Sequence, residues 1–304
     1  MMAVATQTIK SPYGRFAIRT AEDAQPAHLM RFFGTGATNT GKSHLLASIG
    51  PRCLIIDIED KHRLIDFPQR SAYFVPKNLA EMDALFLDIV ADGPKPNRPY
   101  DMIVWDTADE LIPFVVEGMT KLMVDNGLKI PAFGDATDYG SGGGKGSKGW
   151  KLVNDRFASY MRRAQQAGYG WGMVSHLKEE VVSVLEGGKM VERSRLTPML
   201  NPGILRPVQS LSLVKFQTFV RSVSTPTTRI VKIHGVDKTL AGDPVVSEEF
   251  ALTFDARERG AVGLGGNLPL SGTFTVPKYT GWNDVMVAQY NLALQRRAPV
   301  PQGA

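Results

Sequence analysis

The sequence predicts an α/β fold: a mostly parallel sheet flanked by helices, extended by antiparallel strands and ended by a C-terminal helix. Three observations predict it. Short apolar runs closing on acidic residues recur through the first half and read as strands buried on both faces. Between them lie stretches with apolar residues three and four apart, the spacing of a helix that packs one stripe on a sheet. Past residue 180 the pattern changes to strand pairs joined by tight turns, so alternation gives way to antiparallel pairing.

Taken in order, residues 1–27 read as an extended arm with one short strand near 15–19. The run 28–33 (His, Leu, Met, Arg, Phe, Phe) is the first core strand. A helix over 44–49 follows and stops at Gly50. Residues 53–59 form a continuous apolar run that closes on Asp57 and Glu59 and read as the second strand. Asn78 and Glu81 resemble a capping box, which opens a helix with Leu79, Met82, Leu85, Phe86 and Ile89 on one stripe. Residues 100–106 are a third buried strand, ending at Asp106, and a helix over 109–125 follows. Residues 140–149 hold too many glycines to pack as a regular element. Helical spacing returns at Leu152, Val153, Phe157, Tyr160, Met161 and Ala164, then a strand over 169–175. A hairpin is expected around Glu186-Gly187-Gly188-Lys189, with further strands over 211–220 and 229–234. The remainder reads as loop until a helix from Trp282 to about Arg296, carrying Val285, Met286, Gln289, Tyr290 and Ala293 on its stripe. The expected domains are an arm (1–27), a core (28–245) and an extension (246–304).

Composition bounds the class. With 304 residues, 43% of them hydrophobic, the chain can bury a core without a disulfide or metal staple. The one cysteine, Cys53, lies in an apolar run and reads as a core residue, in keeping with a reducing compartment. No signal-like or membrane-spanning apolar run is present, so the expected location is the cytoplasm, with no membrane partner. The net charge of +5 permits a polyanionic partner without requiring one.

Residues Gly36, Ala37, Thr38, Asn39, Thr40, Gly41, Lys42 and Ser43 fit the phosphate-loop pattern G-x-x-x-x-G-K-[ST]. The glycines let backbone N–H groups close on phosphate oxygens, Lys42 offsets their charge, and the Ser43 hydroxyl is placed for Mg²⁺. His44 opens the helix at the same anion site. A strand before and a helix after supply the order that this motif needs. The expected cofactors are therefore ATP and Mg²⁺. Asp106, at the end of a buried strand, is the expected second Mg²⁺ ligand. Thr107 stands where many such enzymes carry a glutamate, and Asp109 and Glu110 read as favourable charge at a helix start. Glu59, on the neighbouring strand end, is the expected base that activates water. His176, just beyond the fourth strand, is placed to sense the terminal phosphate.

Together these residues resemble the RecA-like ATPases, and within them the phage-encoded short RecA-like single-strand-annealing recombinases. The likeness spans roughly residues 28–235. It rests on the phosphate loop 36–43, on Ile56-Asp57-Ile58-Glu59, on the strand 100–106, on Ser175-His176, and on Tyr139-Gly140 with Trp150 downstream. It implies a RecA-like core, with Glu59 at the position of the catalytic glutamate and His176 where RecA has its sensing glutamine. It further implies a ring or filament of copies in a bacterial host cytoplasm, single-stranded DNA as partner, and a single-strand-binding protein beside it. Two segments stand where that family's DNA loops lie. One runs over 139–151, with Lys145, Lys148 and Lys151 for phosphates and Tyr139 and Trp150 for stacking on bases. The other runs over 177–206, with Lys178, Lys189, Arg193, Arg195 and Arg206, balanced by Glu179, Glu180, Glu186 and Glu192. RecA's trans-acting lysine pair has no clean match; Arg229, Lys232, Arg257 and Arg259 are the candidates. The expected function is ATP-dependent single-strand binding that promotes annealing or strand exchange. The alternatives are a hexameric helicase or packaging motor, and a nucleotide-switched interaction protein that does not touch DNA.

Overall fold

The computed structural model describes residues 30–65, 70–93, 95, 97–131, 134–140, 148–233, 236–254, 273–275 and Trp282. The core is α/β, as its alternating apolar runs predict. Strands β1 (Arg31–Gly36), β2 (Cys53–Asp57), β3 (Ala72–Phe74), β4 (Met102–Asp106) and β5 (Gly170–Glu186) are joined through α1 (Lys42–Ala47), α2 (Leu79–Asp92), α3 (Ala108–Asp125) and α4 (Lys148–Gln166). The chain continues through β6 (Lys189–Pro198), α5 (Pro202–Leu211), β7 (Val214–Ile233), β8 (Val236–Thr253) and β9 (Thr273–Thr275). The sheet order is β3-β2-β4-β5-β1-β7-β8-β9, with β6 paired to β5. From β3 to β7 every pairing is parallel; β5–β6, β7–β8 and β8–β9 are antiparallel.

The period of two in each strand divides the core into two layers. Phe33, Leu54, Ile56, Ile103, Trp105, Trp171 and Met173 face α2–α5. Phe32, Ile55, Val104, Val174 and Phe216 face the other way, toward α1 and Trp282. On that second face Trp282 is buried, its ring 4.3 Å from Phe32 and 5.3 Å from Phe216, and its backbone N–H donates to Ser48 Oγ at 2.7 Å. Cys53 is buried here too, and burial pushes its thiol up to about 12, so it stays protonated as a core residue.

Parallel register brings Gly36 beside both His176 and Thr218, and Asp57 beside Asp106. The candidate chemistry thus sits along the carboxyl edge of one sheet, where ligands of open α/β sheets bind. The two strands that flank β1 do not stop there. β5 and β6 run on as a hairpin paired from Leu177–Pro198 to Glu186–Lys189. β7 and β8 run on to Ile233–Val236, with a register shift at Pro226, whose ring has no N–H to offer the ladder.

Several boundaries differ from the sequence expectation. The first strand lies three residues later, over Arg31–Gly36, because it feeds directly into the phosphate loop. β2 ends at Asp57, so Glu59 stands in the turn beyond the strand, where Asp60 takes a positive φ of 54°. α5 breaks up the region expected to be loop and strand; Asn201 caps it and Pro202 occupies its first turn. The short β3 lies in a stretch to which the sequence reading assigns no element, the long β8 lies in one read as loop, and the expected core boundary at 245/246 falls inside β8. The capping role of Asn78 holds, since its side chain accepts from Glu81 N–H at 2.9 Å. Glu81, however, accepts from Lys77 N–H, one residue earlier than a capping box requires. The arm, the glycine tract 141–147, Arg257, Arg259 and the helix expected beyond Trp282 lie outside the described residues.

Candidate phosphate site

The loop after β1 is shaped by its own contacts. A Cβ on Gly36 would collide with the hydroxyls of Thr218 and Thr40, so only glycine fits beneath them. Those two hydroxyls share a hydrogen bond of 2.8 Å, and Thr40 Oγ1 also bonds Ala37 O at 2.8 Å. Gly41 (φ 81°) and Asn39 (φ 61°) take left-handed conformations that turn the chain into α1. Gly41 caps α1 without a side chain, and helical bonding begins only with Leu45 N–H to Gly41 O. Ala37, Thr38, Asn39 and His44 are exposed and Ser43 is half-buried. Lys42 is buried, and its Nζ donates to Gly36 O at 3.0 Å and Ala37 O at 2.7 Å. Burial pushes its pKa down to about 8, partly opposed by the charges of Asp106 and Asp109. The ammonium therefore rests on the carbonyls of its own loop, from which a phosphate would draw it away.

Asp106 is buried, as expected for a strand-end ligand. Its Oδ2 lies 2.8 Å from His62 Nε2, while Oδ1 is buried with no hydrogen-bond partner among the described residues. An orphaned carboxylate oxygen beside the phosphate loop suits a hard cation, so the residues present fit Mg²⁺. Among the described residues no three His, Cys, Asp or Glu side chains cluster to hold a metal by themselves. Asp57 does different work. Its carboxylate accepts the backbone N–H groups of Glu59 (3.1 Å) and His62 (2.7 Å), shaping the turn after β2. Burial raises its pKa, against the pull of those bonds.

Glu59 is part-exposed and its carboxylate pairs with Lys61 Nζ at 2.5 Å. His176 is held twice by Asp109: its backbone N–H donates to Oδ1 at 2.9 Å and its ring Nδ1 meets Oδ2 at 2.7 Å. Burial pushes the Asp109 carboxyl up, and the bonds from His176 outweigh it, leaving the pKa below the ordinary carboxylate range. Asp109 thus orients His176, a role beyond the helix-start charge expected of it. Sequence reasoning missed Asp109, His62 and Thr218 as site residues, since each meets its partner across 44 or more residues of chain.

The residues proposed for nucleic acid are arranged differently from two open loops. Lys148, Trp150 and Lys151 stand in the opening turns of α4. The lysines are exposed there, while Trp150 packs partly buried against the core with Tyr139. Gly149 lets α4 approach the backbone of Ala136 and Thr137, where any Cβ would collide. On the β5–β6 hairpin Arg193 pairs with Glu186 at 2.7 Å and Arg195 with Glu180 at 3.0 Å, while Lys189 is exposed at the turn. Lys145 lies outside the described residues, and Lys232 is exposed on β7. No helix among the described residues is long and apolar enough to cross a membrane.

A family model described as an AAA domain matches residues 29–244, more than half of the chain. A comparison with curated protein sequences finds no match.

Proposed function

The chain belongs to the AAA-domain family, and from that premise we propose that it is a Mg²⁺-dependent, RecA-like ATPase that binds single-stranded DNA and promotes annealing or strand exchange. The observation that carries the reading is the position of β1. The phosphate loop leaves it between β5 and β7, the two strands that run on as hairpins. A change at a terminal phosphate is therefore one residue from the root of a hairpin, since His176 precedes Leu177.

In this mechanism Lys42 exchanges the carbonyls of Gly36 and Ala37 for phosphate oxygens. Ser43 and Asp106 would hold Mg²⁺, which when bound would offset phosphate charge. Glu59 gives up Lys61 and accepts a proton from the attacking water. Asp109 occupies Nδ1 of His176, leaving Nε2 to meet the terminal phosphate. Loss of that contact would move His176, and with it the backbone that enters the β5–β6 hairpin. Lys148, Lys151 and Lys189 offer exposed charge to a phosphodiester chain. The same reading expects a ring or filament with ATP at a subunit boundary, and a single-strand-binding protein on the shared DNA.

ATP hydrolysis measured with and without single-stranded DNA tests the proposal, together with a gel shift at low and high salt. ATP-stimulated annealing and a shift that weakens with salt are the expected results. Hydrolysis with no shift at low salt replaces it with a nucleotide-switched interaction protein, and unwinding of a forked duplex replaces it with a motor. The pairing of Arg193 and Arg195 with glutamates favours the interaction protein as the second reading.

A further inference from the structure

We propose that His62 is a positioning residue for the Mg²⁺ ligand Asp106: it fixes one carboxylate oxygen so that the other is presented to the metal. The inference rests on the nucleotide-binding reading above and goes beyond the motif that suggested it.

The arrangement is built by the backbone. Asp57 and Asp106 are register partners on adjacent strands. Asp57 turns its carboxylate onto the N–H groups of Glu59 and His62, and the chain winds into a short 3-10 turn, His62–Leu64. That turn lays the His62 ring against Asp106, with Nε2 2.8 Å from Oδ2. Tyr73 stacks on the face of the ring, with centroids 6.3 Å apart. Both members of the pair are buried, at 3% and 2% exposure. A carboxylate with neither oxygen tied can rotate about its terminal torsion; one tied through Oδ2 keeps Oδ1 in a set direction. Oδ1 is the atom left buried without a partner among the described residues. Outer partners that orient metal-binding groups change metal affinity about 10- to 100-fold when removed. A pair serving stability alone would leave metal affinity where it is.

The test separates metal binding from nucleotide binding. A fluorescent ATP analogue is titrated in EDTA, and then across a Mg²⁺ series, for wild type and His62→Ala. The expected result is unchanged affinity in EDTA and a Mg²⁺ requirement raised about ten-fold. His62→Gln, whose amide N–H can reach toward Oδ2, restores most of the loss. His62→Asn, too short to reach it, behaves as alanine does and stands in should His62→Ala fail to fold. Mn²⁺ affinity of the nucleotide complex, read by electron paramagnetic resonance, moves in the same order. A wild-type Mg²⁺ requirement in His62→Ala or His62→Asn overturns the proposal and leaves ATP binding intact. An equal loss of affinity in EDTA also overturns it, by assigning His62 a purely structural part. Failure of the wild type to bind the analogue in either condition takes the nucleotide reading and this proposal down together.

Discussion

Raising the pH should loosen the grip on nucleotide through Lys42. Its ammonium is buried against Gly36 O and Ala37 O, and burial brings its pKa from 10.5 to about 8. With that value, about nine in ten Lys42 side chains are charged at pH 7 and about one in ten at pH 9. A triphosphate selects the charged form, so affinity in EDTA should fall about ten-fold over those two units, or about 1.4 kcal/mol. A lysine at its ordinary value would give almost no change. The sign for the unliganded protein is opposite. Because folding lowers this pKa, the ammonium costs stability below about pH 8, and the cost disappears as the pH rises to 10.5. Urea unfolding between pH 7 and 10.5 checks the stability, and titration calorimetry in buffers of different ionisation enthalpy checks the binding: at pH 8.5 each binding event should take up about 0.8 proton. Lys42→Arg, which stays charged, should abolish the uptake. Flat affinity between pH 7 and 9, with no proton uptake, would refute the reasoning.

Glu59→Gln should keep nucleotide affinity and lose turnover, measured by phosphate release; undiminished turnover would assign the base elsewhere. Asp109→Ala removes both anchors of His176 and should lower stability by about 2–3 kcal/mol in urea unfolding, the cost of losing bonds to a charged acceptor. The depressed pKa of Asp109 makes that contribution present above about pH 4 and lost as acid protonates the carboxylate, so wild type and variant should converge in acid. Replacing Lys148 and Lys151 by Ala should weaken single-strand binding and reduce its salt slope by about one to two; an unchanged slope would remove the opening of α4 from the nucleic-acid surface.

What the sequence made legible was local. The phosphate loop, β4 closing on Asp106 and the stripe of α2 each declare themselves within a few residues. β8 did not, because its alternation is polar and broken by Gly242-Asp243-Pro244, while its stability comes from pairing with β7. α5 was hidden by Pro202 and Pro207, although the first suits a helix start. In the site, Lys42, Asp106 and His176 were readable as types at positions. Their partners were not, because His62 and Asp109 acquire meaning only when β2, β4 and β5 align at one edge. The two aromatic residues expected to stack on bases, Tyr139 and Trp150, also pack partly against the core, a contact that their local sequence does not show.

Trp282 and Ser48 meet across 234 residues of chain. During synthesis the helix behind the phosphate loop leaves the ribosome early, and its supporting face stays open until Trp282 arrives. A nascent chain that stops short of Trp282 lacks the ring that covers Phe32 and Phe216, which leaves apolar surface for chaperones to hold. Burial of the face behind the phosphate loop is thus completed by a residue remote from it in the chain.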